Sequence, residues 1–371
     1  MSTQVNNYFQ SLPDLPKPFT ATQCILFKEE LLICGGANTS QCYSYHTLKK
    51  EYKYICSYPD DVKLNGHCVV QLNHSQTNPN EIHLLSFGGQ NTNIMKQTFS
   101  MKYTSVWEID DNNTQSDSKS ENQSFNTWIR HNQDTNIGNF QNNLIGVRGL
   151  IGGKNNDLLF ITYFPKNIEV IDLKTMRSLN GIKNSVIPRE KRKFKIQHHC
   201  FVPLTMNNEK VINHFILFCH NIGLLIKYDE QNKSFHYQKL PICPAFNDFA
   251  SYSFVYLHDF IFLFGGINNK IWNQCKITLP MEINLSFAIL SDDDINVHVI
   301  GGSNAKYGIQ KTHVSVNADE LFEKSELLKM PEIYRKTIEL KNEITKMKLE
   351  RPYIIPIEKQ RMNEDEKENK E

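Results

Sequence analysis

Thirteen histidines, nine cysteines and a series of Gly-Gly pairs are the residues of this chain that could do chemistry. Histidine could hold a metal or move protons, cysteine could build a zinc site or act as a nucleophile, and a glycine pair could cradle phosphate. Spacing narrows these options. Cys24, Cys34, Cys42, Cys56, Cys68, Cys200, Cys219, Cys243 and Cys275 stand singly in apolar runs, with no C-x-x-C pair, so the pattern argues for reduced, buried thiols. Gly35-Gly36, Gly88-Gly89, Gly265-Gly266 and Gly301-Gly302 each close a short apolar run. None opens a helix and no Lys-Ser or Lys-Thr follows in P-loop spacing, so they read as turn glycines rather than a nucleotide cradle. No Gly-x-Ser-x-Gly or His-Glu-x-x-His motif is present, and no catalytic residue is assigned.

The elements that carry these residues repeat. Runs rich in strand-formers, Leu31 to Gly36, Ile82 to Gly89, Phe215 to His220, Phe260 to Gly266 and Val297 to Gly302, are each preceded by another short strand. Those preceding strands, beginning at Gln23, His67, His199, Tyr252 and Leu285, align without gaps and carry Cys or Ser in second place. Register exposes a decoy. Gly152-Gly153 looks like another strand end, but Arg148 to Gly153 aligns with the preceding strand, and the counterpart of the glycine-ended run is Leu158 to Tyr163. A third strand and a polar turn follow, as at Tyr228-Asp229 through Lys233 to Phe235.

These residues resemble the kelch repeat, a four-stranded unit with an apolar strand ending in Gly-Gly, then a Tyr, then an aromatic after a Y-D-type turn. The resemblance covers Tyr8 to Val316 and implies an all-β, six-bladed propeller of four-stranded antiparallel blades spanning residues 8–316, closed by an N-terminal strand at 8–13 that completes the last blade. The repeat after Gly265 is abbreviated, and its outer strand is expected within Ile277 to Ile283. Beyond it, a helical extension is expected over 318–350 and a charged tail over 351–371. In a propeller, the shared first position of the inner strands places Gln23, His67, Arg148, His199 and Tyr252 in a ring near the channel mouth. Two readings stand side by side: a polar mouth that binds a ligand, and a satisfied network between inner strands. Ligands on different blades are too far apart for zinc, so neither metal nor cofactor is assigned.

The 371 residues are 40% hydrophobic and 22% charged, with a formal net charge of +1, so no global field gathers nucleic acid or anionic lipid. The basic run Arg189 to Lys195 contains Glu190 and no aromatic platform, and reads as a solvated loop. Met1 to Gln10 has no signal-peptide core, and no apolar run is long enough to span a bilayer; the expected setting is cytoplasmic or nuclear, not secreted. The expected function is a non-catalytic protein-interaction module, a kelch scaffold or adaptor that binds an unidentified protein through its inter-strand loops, with further contact through 318–350. No BTB or BACK domain, the usual route of kelch proteins to ubiquitin ligases, precedes Tyr8. The alternative is a small-molecule or carbohydrate-binding or -modifying propeller that uses the channel mouth. Kelch-type copper oxidases also exist, but nothing here marks their Tyr-Cys and histidine constellation, so no enzyme is expected.

Overall fold

The computed structural model describes residues 8–322 except 73–77, 108–124, 189–195, 207–208, 221, 243–249, 258–259, 268–278 and 293–294. Nearly all regular structure is antiparallel β-sheet. Strand β1 (Gln10–Ser11) precedes a first sheet of β2 (Gln23–Phe27), β3 (Glu30–Gly36), β4 (Thr39–His46) and β5 (Glu51–Ser57), paired in chain order. The second holds β6 (Cys68–Leu72), β7 (Glu81–Phe87), β8 (Thr98–Thr104) and β9 (Ile129–Arg130). The third holds β10 (Asn143–Gly152), β11 (Leu158–Phe164), β12 (Asn167–Asp172) and β13 (Arg177–Ser178). The fourth holds β14 (Cys200–Met206), β15 (Glu209–Cys219), β16 (Ile222–Asp229) and β17 (Ser234–Lys239). Next comes a two-stranded sheet, β18 (Ser253–Leu257) with β19 (Phe260–Phe264). The last sheet runs β20 (Phe287–Leu290), β21 (Asn296–Ile300), then, past the small hairpin of β22 (Ser303–Asn304) and β23 (Gly308–Ile309), β24 (His313–Asn317). Its fourth strand is β1, which pairs Gln10 with Ser315 and Ser11 with Val314.

The inner strands β2, β6, β10, β14, β18 and β20 touch in that cyclic order, and β20 returns to β2. Sheets arranged around an axis with their first strands innermost form a β-propeller. A second strand that lies between neighbouring sheets can be buried on both faces, and β3 is buried along its whole length, whereas β19, in the incomplete sector, is mostly half-buried. Outer strands such as β9 and β13 are two residues long and exposed, a short edge that offers little to a pairing chain. The decoy resolves as the register required: Arg148 to Gly152 lies on β10 opposite Thr162 to Leu158 of β11.

The expected six four-stranded blades are corrected to five among the described residues. The repeat after β19 has the shortest interval before the next inner strand, and its described residues make only two isolated bridges, Ile267 with Ala250 and Asn284 with Ser303. No helix corresponds to the expected extension within the described residues; Ala318–Leu321 forms one 3-10 turn, capped by the Asn317 side chain accepting from the Asp319 amide at 2.8 Å, and the remainder of 318–350 and all of 351–371 lie outside them. The run 189–195 lies outside them as well. None of the described helices is long and apolar enough to cross a membrane.

The core sits in the seams. Leu32, Cys34 and Cys42 of the first sheet pack with Leu84, Met101 and Trp128 of the second, and Phe160 and Val170 of the third with Phe215 and Ile226 of the fourth. Burying each such side chain contributes about 1.5–3 kcal/mol, so the ring is held by sheet-to-sheet contact as much as by strand pairing. One seam also carries a buried acid. Glu30 accepts from Tyr103 of the second sheet and from the Ser44 hydroxyl at 2.6 Å, and Trp107 Nε1 donates to that hydroxyl at 2.8 Å.

Candidate functional site at the channel mouth

The glycine pairs are architectural. Gly35, Gly88, Gly89, Gly265, Gly266, Gly301 and Gly302 all have positive φ; Gly36 does not. At Gly301 a Cβ would stand 2.5 Å from the Phe19 carbonyl oxygen, and the Gly302 amide donates to that oxygen at 2.7 Å. The glycines let one sheet's second strand hydrogen-bond the chain entering its neighbour.

The five aligned side chains do not behave as one ring. His67 is fully buried, with Nδ1 3.2 Å from the Leu64 carbonyl and its ring edge-on to Tyr58. His199 Nε2 lies 2.7 Å from the Thr162 hydroxyl on β11. Tyr252 donates to the Phe218 carbonyl on β15 at 2.8 Å. His199 and Tyr252 thus reach back to the sheet before their own, while His67 bonds within the loop that enters its sheet and packs on Tyr58, just past β5; all three fill seams. Gln23 donates to the adjacent Thr22 carbonyl at 2.7 Å and is buried too. Two nitrogens in this belt, His67 Nε2 and His199 Nδ1, are buried with no hydrogen-bond partner among the described residues. Burial holds His67 down to about 4 and His199 well below the usual imidazole range, so both are neutral near pH 7.

Arg148 is the exception. It is half-buried, and its Nε donates to the His199 carbonyl at 3.1 Å. Its guanidinium carbon lies 5.9 Å from the ring centre of Phe254, a half-buried side chain on β18, two inner strands away. The side chain therefore leans across the axis instead of into a seam. Burial draws its pKa down from the ordinary value, yet a guanidinium remains cationic at any physiological pH. Among the described residues it forms no ion pair, and the groups that sense its charge are Cys68, Cys200, Tyr252 and the histidines at 67, 198 and 199.

The neighbouring ring is one of crowded small residues. Ser253 and Ser286 hydroxyls meet at 3.0 Å, and a Cβ on Gly149 would come within 3.4 Å of Cys68 Sγ. Among the described residues no three His, Cys, Asp or Glu side chains are grouped to hold a metal ion. Sequence reasoning missed Phe254 as a channel residue, because the strand pattern there does not reveal which side chain faces Arg148. It also missed a row of thiols: Cys34, Cys42 and Cys56 are successive cross-strand partners on β3, β4 and β5, and Trp128 Nε1 donates to Cys42 Sγ at 3.4 Å.

No protein-family profile matches the chain, and no curated protein does. Among solved structures it is similar to the structure of YjhT, at 12% identity and a TM-score of 0.54, over 82% of this chain and 96% of that one. It is also matched to the major Malassezia sympodialis allergen Mala s 1, at 9% identity and a TM-score of 0.36, over 83% and 96% of the two chains. The first likeness is one of fold.

The chain is a β-propeller.

The expectation of a non-catalytic interaction module acting through inter-strand loops is corrected. The fold is shared with YjhT over nearly all of that chain, a match that brings in no scaffold or adaptor, and Arg148, which has no ion pair among the described residues, stands on an inner strand.

Proposed function

We propose that this propeller binds a small molecule of the carbohydrate class at the mouth of its central channel. The observation that carries the reading is the Arg148 guanidinium, half-buried, lacking an ion pair among the described residues and bordered by the face of Phe254. Polar groups converging beside an aromatic wall are what a sugar site requires: hydrogen bonds fix orientation and the ring covers the apolar face of a pyranose. We also read the chain as a kelch-type ring of six sectors, five of them complete, a reading supported by the positive-φ glycine pairs that follow β7, β19 and β21 and by the cyclic contact of six inner strands. The proposal is stated for binding; burial keeps His67 and His199 neutral near pH 7.

Calorimetric titration of the whole protein with a panel of neutral and acidic monosaccharides, coupled to hydrogen exchange, tests the reading. The expected result is saturable binding with slowed exchange at β10, β14 and β18. Saturable binding that protects only outer loops, or no binding across the panel, would overturn it.

A further inference from the structure

Resting on the channel-mouth reading, the geometry points to an anionic ligand: a sugar acid or similar small molecule whose carboxylate is received by Arg148. The argument is one of charge balance. Arg148 carries one positive charge, and every titratable group recorded around it is neutral near pH 7. Burial pushes the Cys68 thiol up to about 11 and the Cys200 thiol and Tyr252 phenol upward as well, so none supplies a negative charge. The surrounding imidazoles are uncharged for the same reason, His67 at about 4, His198 at about 3 and His199 well below its usual range. A half-buried cation among neutral groups is costly unless an anion completes it.

Geometry selects the kind of anion. The Nε of Arg148 is held by the His199 carbonyl, and Nη1 makes a 3.4 Å contact with the Val147 carbonyl. Among the described residues Nη2 has no recorded partner, so the outer edge of the guanidinium is free to donate. That planar edge suits a carboxylate's paired oxygens. A single cation also matches a monoanion better than a phosphate dianion, and among the described residues no second Lys or Arg is an electrostatic neighbour of Arg148. Phe254, with its ring centre 5.9 Å from the guanidinium carbon, offers the apolar wall against which the rest of the ligand would lie.

Glucose and glucuronate differ at one carbon, hydroxymethyl against carboxylate, and form a matched test. At fixed ionic strength, glucuronate should bind the full-length protein about tenfold more tightly than glucose, as expected for one charge-assisted hydrogen-bonded pair. Arg148→Gln should reduce that preference to about twofold or less, and Arg148→Lys, which keeps the charge without the planar fork, should fall between. Because Arg148 also holds the His199 carbonyl, a measurement on the unaltered protein accompanies the variants: phenylglyoxal modification of Arg148, mapped by mass spectrometry, should be slowed by glucuronate and not by glucose. Equal binding of the two sugars, or a preference that survives Arg148→Gln in a folded variant, would overturn the carboxylate assignment while leaving the channel site standing. Tighter binding of inorganic phosphate than of glucuronate would overturn it in favour of a dianion. Failure of glucose, glucuronate and phosphate alike to bind or to protect Arg148 would overturn the site itself.

Discussion

At the scale of single residues, identical positions in the repeat have been put to different uses. His67 and His199 immediately precede the inner strands β6 and β14, and their imidazoles serve as buried, neutral wedges in the seams, whereas Arg148 at the aligned position leans over the axis. Burial without a charged partner explains the imidazoles' low affinity for protons, and it carries a consequence for stability. The folded His67 has a pKa of about 4, while an unfolded histidine titrates near its ordinary value of about 6.5. As pH falls below that value, the unfolded chain takes up the proton first, so the stabilisation is complete above about pH 6.5 and is lost progressively towards pH 4. His199 and His313 are shifted in the same direction by burial and add to the trend. Urea unfolding at pH 7.5 and pH 5 should show a lower midpoint at pH 5, and His67→Gln should reduce the difference. Identical midpoints at the two pH values would show that these imidazoles are not sealed as described.

At the scale of elements, a buried acid shared between sheets is the feature with the clearest energetic signature. Glu30 opens β3, and its carboxylate is met by Ser44 of β4 and by Tyr103 of β8 in the next sheet. Removing one donor leaves a buried carboxylate oxygen poorly satisfied, which costs about 1–3 kcal/mol. Tyr103→Phe should therefore lower the chemical-denaturation stability by that amount, with little change in far-ultraviolet circular dichroism. A neutral effect would mean that water replaces the phenol. In the sequence, Glu30 is simply the polar residue before an apolar run. Nothing in the spacing of Glu30, Ser44 and Tyr103 announces the network, because Tyr103 arrives from a separate sheet only after the ring has packed. The same holds for Cys34, Cys42 and Cys56, whose row exists only once β3, β4 and β5 have settled into register.

At the scale of the whole molecule, the last sheet joins the two ends of the propeller chain. β1 lies against β24, and Phe9, just ahead of β1, is buried where the last sheet meets the two-stranded one, edge-on to Phe264 at 6.4 Å. Phe9→Ala removes a large side chain from that seam and should cost about 3–5 kcal/mol. Limited proteolysis should then cut first in the last sheet, and cutting unchanged from the parent protein would argue that the seam does not depend on Phe9. What the sequence by itself determined was local and periodic: short strands, their order in each repeat, the glycines at strand ends and the standing of Gly152-Gly153 as a decoy. Alternation and turn chemistry are written in neighbouring residues, so one chain suffices to read them. The number of complete blades was not legible, because the abbreviated repeat after Gly265 differs from its neighbours in what it pairs with, and pairing is a property of the assembled ring. Nor was the site legible. Alignment could place His67, Arg148, His199 and Tyr252 at one register position, but only the packed ring decided that three turn into seams and one spans the axis. Seam space, and not residue type, sets where each side chain can go, and that space exists only after every sheet is in place.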